Sequence, residues 1–198
     1  MGETSRTEEF ASSPVHRFRM QDVSRQPDNP SYTIMAKKKR PLKNIVTRLL
    51  DGQKIVYETR TYDPDVFVSA PEVAAGIDMP ARQVFKTLVA LPDKGKPMLA
   101  VLPADAELDL KALARAAGAK KAHMASLARA EKMTGLRKGG ISSLALIHRG
   151  FRVFLDESAR EFDFIAMSAG VRGMQVILAP DDFIALTNAH VAPITRKI

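Results

Sequence analysis

The sequence contains no cysteine, and this absence excludes three kinds of chemistry. Disulfide bonds, zinc sites built on thiolates and a cysteine nucleophile all need a side chain that the chain lacks. The histidines do not follow the spacing of metal ligands either; they are His16, His123, His148 and His190. We therefore predict a protein without a metal site.

Motifs that bind nucleotides or mark common hydrolases are also missing. The sequence holds neither the Gly-x-x-x-x-Gly-Lys pattern of a phosphate-binding loop nor the Gly-x-Gly-x-x-Gly pattern of dinucleotide-binding folds. It has no Gly-x-Ser-x-Gly pattern around a nucleophilic serine. A Ser–His–Asp triad assembled in space stays open, although no pattern favours one. We expect no cofactor.

Long hydrophobic runs are absent as well. No segment approaches the roughly 18 consecutive apolar residues that a membrane-spanning helix needs. The N-terminus lacks the apolar core of a secretory signal peptide. These observations predict a cytoplasmic protein with no membrane partner. The chain has 198 residues, 45% of them hydrophobic, which is enough for one sizeable core.

Positive charge is present in excess and is concentrated in one part of the chain. The formal net charge is +8, and residues 86–152 alone carry 13 Lys and Arg against 5 Asp and Glu. A concentrated basic region is typical of nucleic-acid binders, because neutralising phosphates supplies most of the sequence-independent affinity. A surface charged only for solubility would spread the charge more evenly. Both interpretations remain open on charge alone.

The domain organisation follows from where apolar periodicity begins. Residues 1–40 are polar, contain three prolines and lack a periodic pattern, so we predict a disordered extension. Within it, Met35 begins a Met-Ala-Lys-Lys-Lys-Arg segment that resembles a translation start with a basic leader. A single folded domain is predicted over residues 41–198.

Short strands and helices alternate along this domain. Apolar spacing and capping residues predict helices near residues 42–52, 71–76, 110–117, 127–133 and 180–186. Runs of β-branched and aromatic residues predict strands at 55–62, 84–90, 98–102, 143–148, 151–155, 162–167 and 174–178, with residues 119–123 a connector or a strand. We predict that two consecutive runs, 143–148 and 151–155, form a hairpin around Arg149-Gly150. The pattern predicts an α/β (α+β) fold with a mixed, partly closed, barrel-like sheet surrounded by short helices.

Lys86 is the first of three candidate functional features. It interrupts a strand whose other side chains are apolar or β-branched, so the strand should be largely buried. If Lys86 faces water, it occupies an ordinary alternation position. If it faces a cavity, its ammonium group needs an anionic partner, and a ligand could supply one.

The other two features are turns rich in glycine. In residues 134–142, Gly139 and Gly140 follow Arg137 and Lys138 directly. Adjacent glycines let a ligand approach the main chain, and two cations suit an anionic or sugar-phosphate partner; a tight turn with solvated charges explains the same residues. Residues 168–173 form the second turn. Both turns can present backbone N–H groups to a carbonyl oxygen that gains charge.

Together, in this order and at these separations, the three features resemble the YbaK family of aminoacyl-tRNA deacylases. The segments that carry the resemblance are 84–88 (VFKTL), 108–111 (LDLK), 118–121 (GAKK), 134–135 with 139–142 (TG and GGIS), and 168–173 (SAGVRG). The similarity extends from about Pro41 to the C-terminus. It implies a compact, partly closed mixed sheet and the removal of a mischarged amino acid from tRNA, typically cysteine from tRNA(Pro).

The resemblance also implies the residues of a pocket. The four candidates for catalysis are Lys86, Gly139, Ser168 and Tyr62, the last of which ends the predicted first strand. We add seven candidates for binding the substrate: Arg137, Lys138, Gly140, Ile141, Ser142, Gly170 and Arg172. Backbone donors near Gly139 and Ser168 could polarise the ester carbonyl, while Lys86 could contact the terminal ribose or phosphate.

No protein nucleophile is evident in this set. Members of the family are thought to let the cysteine side chain attack its own ester, which expels the tRNA and leaves a thiolactone. The implied partners are aminoacyl-tRNA and, for its delivery, prolyl-tRNA synthetase.

The sequence departs from the family pattern at a few positions. Leu136 replaces an aromatic residue, Ser143 and Ala145 replace proline and glycine, and Gln175 stands where some members carry an acid. Two alternatives therefore stay open. One is an editing enzyme that clears alanine or another small residue, and the other is a tRNA-binding module without catalysis.

Overall fold

The computed structural model describes residues 43–196, so the extension predicted for residues 1–40 lies outside the described residues. The strands are β1 (Glu58–Thr61), β2 (Val84–Pro92), β3 (Met98–Pro103), β4 (Ala122–Met124), β5 (Arg152–Asp156), β6 (Ile165–Ser168), β7 (Met174–Leu178) and β8 (His190–Ala192). The α-helices are α1 (Ile45–Gly52), α2 (Ala70–Gly76), α3 (Leu110–Ala117), α4 (Leu127–Thr134) and α5 (Pro180–Thr187). Short 3-10 helices occupy Ala81–Gln83, Leu144–Leu146 and Glu157–Glu161.

All eight strands belong to one mixed sheet, which confirms the predicted fold class. The strand order is β1-β7-β6-β2-β3-β5-β8, and β4 pairs with β2 beside this path. β2 and β6, β3 and β5, and β5 and β8 are parallel, whereas the other pairs are antiparallel. The end strands β1 and β8 do not pair with each other within residues 43–196, so closure into a barrel stays a prediction.

Strand β2 has two different edges. One edge pairs with β3 continuously from Phe85 to Ala90. The opposite edge pairs with β6 only at Val84 and Phe85, and with β4 only from Ala90 onward. Residues 86–88 therefore have no strand beside them on this edge. We call this stretch the β2 gap.

The sheet has a helix-covered core on each face. Phe85 and Val89 of β2 point to the first face, where they join a core that includes residues of α1 and α5. Val84 and Ala90 point to the second face, which packs against α2 and α3. Because side chains alternate along a strand, Lys86 belongs to the second face and Thr87 to the first.

Local sequence explains how the helices beside the gap begin. The Ser69 hydroxyl accepts from the Glu72 main-chain N–H at 3.4 Å, and the Glu72 carboxylate accepts from the Ser69 N–H at 2.8 Å. This reciprocal capping box fixes the start of α2, with Pro71 in the first turn. Ser126 caps α4, because its hydroxyl oxygen accepts from the Arg129 main-chain N–H at 3.4 Å.

The five predicted helices are confirmed, but part of the strand prediction is wrong. Residues 143–148 do not form a strand, and the predicted hairpin with residues 151–155 does not exist. Leu144 and Leu146 are buried in a 3-10 turn, and β5 pairs in parallel with β3 and β8 instead. The first strand is shorter than predicted, since residues 55–57 do not pair, and β8 was not predicted. None of the helices within residues 43–196 is long and apolar enough to cross a membrane.

Candidate active site

A cavity of about 1150 Å³ opens at the β2 gap. Lys86, Thr87 and Leu88 line it from the strand itself, and residues from both faces of the sheet complete it. The N-terminal part of α2 and the loop before it form one wall, and the β4–α4 segment forms another. The interruption in strand pairing thus makes the cavity, because a paired edge would leave no room at this place.

The cavity brings together eight of the eleven predicted site residues. They are Tyr62, Lys86, Arg137, Lys138, Gly139, Ile141, Ser168 and Arg172. All four candidates for catalysis are in this set. Of the two positions open for Lys86, the structure shows the one beside the cavity.

The other three predicted substrate-binding residues lie behind the cavity wall. A Cβ atom on Gly140 would lie 3.3 Å from both the Arg172 main-chain nitrogen and the Val171 carbonyl carbon, so this glycine lets two loops touch. Gly170 faces Ala145 and α1 rather than the cavity. Ser142 is 1% exposed and does not reach the cavity surface. These three residues support the site instead of lining it.

The Lys86 ammonium group is held by main-chain oxygens. Its Nζ atom donates to the carbonyl oxygens of Ala104 at 2.8 Å and Ala106 at 2.6 Å. Partial burial lowers the pKa of Lys86 below its usual value, and the nearby carboxylates of Asp105 and Glu107 oppose this shift. The ammonium group therefore has carbonyl partners but no direct salt bridge within residues 43–196, and a phosphate or a ribose hydroxyl of a ligand could compete for it.

The loop that holds Lys86 is itself fixed by the C-terminal segment. Arg196 donates its main-chain N–H to the Glu107 carbonyl at 2.9 Å and pairs with the Glu107 carboxylate at 3.1 Å. The segment is anchored by Asp156, whose Oδ2 accepts from the N–H groups of Ile194 and Thr195 at 3.0 and 3.1 Å. A buried carboxylate therefore stabilises the frame around the lysine.

Ser168 and Gln175 lie side by side on the same face of the sheet as Lys86. They are directly opposite each other in the β6–β7 pair, and both line the cavity. The Ser168 hydroxyl oxygen accepts from the Gly170 N–H at 3.3 Å. Gln175 is only 5% exposed, and its Oε1 atom has no hydrogen-bond partner within residues 43–196. Such an unsatisfied acceptor is costly unless a ligand or water completes it.

Gln175 was not among the predicted site residues. The only signal in the sequence was that it departs from an acid found in some members of the family. That departure proves informative, because the residue lies in the cavity with an unpaired amide. Thr87 and Leu88 were also missed as lining residues, because only the strand pairing shows that this stretch is open.

The two predicted turns contact each other and β1. Gly139 has a φ of +82°, a conformation that side chains disfavour, and it lies against the Arg172 side chain. Arg172 in turn donates to the Pro64 carbonyl at 2.9 Å. The Tyr62 N–H donates to the Gly173 carbonyl at 3.0 Å, which ties the end of β1 to the second turn. Residues distant in sequence thereby form one wall.

The cavity has no obvious general base among its described lining residues. It contains no histidine, cysteine or aspartate. Its two carboxylates are engaged: Glu72 caps α2, and Glu131 accepts from the Lys138 N–H at 2.9 Å and pairs with Arg137 at 3.5 Å. The arrangement can bind and polarise an ester, but it offers no free nucleophile–base pair.

Comparison with known proteins identifies the family. The model of the aminoacyl-tRNA editing domain matches residues 66–186, which include most of the cavity. The chain belongs to this family. The predicted resemblance is therefore confirmed.

One relative is similar over almost its entire length. It is a candidate Cys-tRNA(Pro)/Cys-tRNA(Cys) deacylase, EbsC of Enterococcus faecalis, and it is 39% identical over 164 residues. The similarity covers 82% of this chain and 99% of the relative.

Two solved structures share the fold at low sequence identity. The hypothetical protein APE2540 matches with a TM-score of 0.70 and 19% identity, over 77% of this chain and all of that one. A candidate trans-editing enzyme for prolyl-tRNA synthetase matches with a TM-score of 0.64 and 21% identity, over 79% of this chain and 99% of that one. At these identities, the matches show the fold alone: the mixed sheet and its helices have the same arrangement in these two proteins.

Proposed function

We propose that this protein is a trans-editing aminoacyl-tRNA deacylase that removes a mischarged amino acid, with cysteine on tRNA(Pro) as the preferred substrate. The observation that carries the proposal is the cavity at the β2 gap, in a chain that belongs to an editing-domain family. It contains the four residues that the family resemblance assigned to the pocket: Tyr62, Lys86, Gly139 and Ser168. The name of the Enterococcus relative supports the choice of cysteine.

The reaction that suits this cavity uses a nucleophile from the substrate. The cysteine thiol attacks its own ester carbonyl, a carbon–sulfur bond forms, and the bond to the ribose oxygen breaks. The thiol proton ends on the released ribose hydroxyl, and the amino acid leaves as a thiolactone that water then opens. The protein supplies position and charge stabilisation, which explains why no lining residue is free to act as a base.

Each candidate residue has a task in this reaction. The backbone beside Gly139 and the Ser168 hydroxyl are donors for the carbonyl oxygen as it gains negative charge. Lys86 can exchange a carbonyl partner for the terminal ribose or phosphate, with Tyr62 next to it. Arg137, Lys138 and Arg172 stand at the cavity and offer positive charge to the tRNA backbone.

The protein's setting is part of the proposal. We place it in the cytoplasm, where tRNA is charged, and we propose that prolyl-tRNA synthetase delivers the mischarged tRNA. The solved editing-type structure associated with prolyl-tRNA synthetase motivates this choice. Pull-down of the purified protein with prolyl-tRNA synthetase and tRNA(Pro) tests it, and the absence of a ternary complex would exclude stable delivery.

The direct test of the activity is a deacylation assay with tRNA(Pro) carrying cysteine, serine or alanine. We expect rapid release from cysteinyl-tRNA, slow release from the other two, and a thiolactone that can be trapped with an amine. Equal release of serine would show that the thiol does not participate. Preferred release of alanine would favour an editing enzyme for small residues.

A second assay separates an enzyme from a binding module. Lys86→Ala and Gly139→Phe are both expected to abolish turnover while the protein stays folded, the second because a large side chain would fill the cavity. Salt-dependent tRNA binding should persist in Gly139→Phe, since the basic surface is unchanged. If this variant kept full biological function in cells, the binding-module alternative would be favoured.

A further inference from the structure

The unpaired edge of β2 presents main-chain groups as well as space. Alternate residues of a strand direct their N–H and C=O groups to opposite edges. The Ala104 N–H donates to the Val84 carbonyl at 2.7 Å, so Val84 directs its groups toward β3. Phe85 should then direct its main-chain groups away from β3, which agrees with its neighbour on β3 being Pro103, a residue without an N–H group. Counting on from Val84, the groups of Thr87 point away from β3 and into the β2 gap.

The opposite end of the gap gives an independent check on this phase. The Ala125 N–H donates to the Val89 carbonyl at 3.0 Å, which places the carbonyl of Val89 on the β4 side of β2. Thr87 lies two residues earlier and therefore has the same orientation. The pairing with β6 ends at Phe85, opposite Met167, so β6 does not reach the Thr87 groups.

The N–H and C=O of Thr87 consequently have no hydrogen-bond partner within the part of the chain that the structure describes. Both groups belong to a residue that lines the cavity. Thr87 is half-buried, so within the described residues only water is left to complete these groups until a ligand binds, whereas more than nine in ten buried main-chain groups in native proteins have a partner. At Thr87, β2 therefore resembles one strand of a hydrogen-bonded pair whose partner residue is absent.

We propose that the aminoacyl group of the substrate supplies this missing residue and pairs with Thr87 as a strand residue would. The proposal rests on the deacylase function given above. The α-amino nitrogen and the carbonyl oxygen of an aminoacyl ester are separated by the same bonds as those of a residue in a strand. The Thr87 N–H donates to the ester carbonyl oxygen, and the Thr87 carbonyl accepts from the α-amino group. These are the two bonds of a hydrogen-bonded antiparallel pair.

The pairing orients the substrate in the cavity. If the aminoacyl group continues the line of β4, it runs antiparallel to β2, and its ester oxygen points toward Lys86 and the end of β6 at Ser168. The ribose then lies beside the Lys86 ammonium group. The side chain of the amino acid lies on the same face as the Thr87 side chain, because residues directly opposite each other share a face.

The main-chain donor can be tested by exchanging a single atom. Thr87→Val is compared with the same protein carrying the α-hydroxy analogue of valine at position 87, which replaces the N–H by an oxygen. We expect kcat/KM for cysteinyl-tRNA to fall by about tenfold to a hundredfold, less than the roughly hundredfold to thousandfold typical of losing an oxyanion donor, because the Gly139 backbone and Ser168 remain as donors. The melting temperature should fall less than in the control below, because this N–H has no partner in the folded protein and the exchange only weakens the Lys86 carbonyl as an acceptor of the β2–β3 ladder.

The control is the same exchange at Ala90, whose N–H points to β3. Replacing Ala90 by its α-hydroxy analogue removes a bond of the β2–β3 ladder, so the melting temperature should fall while kcat/KM stays within about threefold. An unchanged kcat/KM at position 87, or equal losses at both positions, would overturn the proposal.

The acceptor is tested from the substrate side. tRNA charged with 3-mercaptopropionate keeps the thiol and the ester but has hydrogen in place of the α-amino group, so it offers no donor to the Thr87 carbonyl. After correction for the spontaneous hydrolysis of each ester, we expect cysteinyl-tRNA to be preferred by at least about tenfold. Equal rates would contradict the bond to the Thr87 carbonyl.

The outcome distinguishes this proposal from the proposed function. If the wild-type protein releases no amino acid from any tRNA, the deacylase function fails. The pairing can still be tested in that case by measuring the binding of a tRNA that ends in a 3′-cysteinylamide. Equal affinity of Thr87→Val and of its α-hydroxy counterpart for this tRNA would exclude the pairing. If turnover is present but indifferent to the exchange at Thr87, only the pairing fails.

Discussion

Two buried polar side chains in this sheet differ in whether the fold supplies their hydrogen-bond partners. Asp156, at the end of β5, is 2% exposed and accepts hydrogen bonds on both carboxylate oxygens, from Ser158 and from the main chain of Ile194 and Thr195. Gln175, in β7, is 5% exposed, and its Oε1 atom has no partner within residues 43–196. The first group is satisfied by the fold, whereas the second is available to a ligand.

The difference teaches which polar residues to assign to stability and which to activity. A satisfied buried carboxylate stabilises the segments that it joins, here β5 and the C-terminal segment. An unsatisfied amide in a cavity contributes little to folding, and the protein tolerates its cost where a ligand can complete it. The same contrast applies to the two edges of β2, of which one is fully paired and the other opens to the cavity.

The largest effect is expected at Lys86. Lys86→Met keeps the length of the side chain but removes the ammonium group, so we expect deacylation of cysteinyl-tRNA to fall by about a hundredfold or more, the range for loss of one stabilising group. Lys111→Met, at an exposed position on α3, is the control and should retain activity. Rates within threefold of each other would remove Lys86 from the mechanism.

The next test concerns Asp156, whose carboxylate is hydrogen-bonded on both oxygens within the fold. Asp156→Asn places an N–H₂ group against main-chain donors, so we expect the free energy of unfolding to fall by about 2–4 kcal/mol in urea titrations. Asp163→Asn, at an exposed position nearby, is the control and should stay within about 0.5 kcal/mol of wild type. A stable Asp156→Asn protein would show that the anchor is dispensable.

The amide of Gln175, whose Oε1 atom has no partner among the described residues, is tested beside that of Gln83, which is hydrogen-bonded. Gln83→Met removes a hydrogen bond from the side-chain nitrogen to the Phe164 carbonyl, observed at 2.7 Å, and should cost about 1 kcal/mol of stability. Gln175→Met removes no bond made by the fold, so stability should be equal or higher, while kcat/KM falls by about tenfold. Urea unfolding and deacylation are measured on both variants. Similar losses of stability would mean that Gln175 has a partner in the folded protein.

The smallest effect concerns pH. The pKa of Lys86 is lowered by burial, so its ammonium group deprotonates below the usual pH in the folded protein. Binding of a 3′-cysteinylamide tRNA analogue should weaken as pH rises through this lowered pKa. The ratio of the wild-type affinity to the Lys86→Met affinity isolates the effect of the lysine charge, because protonation of the analogue changes both affinities equally. A ratio that is constant with pH would show that binding does not depend on the charge.

The same shift has a defined sign for stability. Between the folded pKa of Lys86 and its higher unfolded value, the unfolded chain binds more protons, so the stability contributed by this group rises with pH. The difference in unfolding free energy between wild type and Lys86→Met should therefore move in favour of wild type as pH increases. Movement in the opposite direction would mean that the ammonium group is stabilised in the folded protein.

The sequence was sufficient for the helices and for the set of segments that form the site. Capping residues such as Asp109 and Ser126 mark helix starts through bonds within one turn, which is why those predictions are accurate. The glycine turns and Lys86 were likewise recognisable, because their composition is unusual wherever they lie in the fold.

The sequence was insufficient wherever the structure depends on partners distant along the chain. Residues 143–148 are apolar like a strand, but the neighbouring β5 pairs with β3 and β8, so no hairpin forms. The unpaired position of Thr87 follows from where β6 and β4 end against β2, which no local pattern encodes. For the same reason Gln175 was noticed as a departure but not placed in the site.

The shortness of the β2 gap has a consequence for cellular safety. Strand β6 closes it at Phe85 and β4 at Ala90, so an added chain can pair only with the short stretch 86–88, and a growing polypeptide is too long for it. An enzyme that cleaves the bond between tRNA and its cargo would otherwise endanger every nascent protein on the ribosome. The flanking strands thus set a length limit that would spare peptidyl-tRNA.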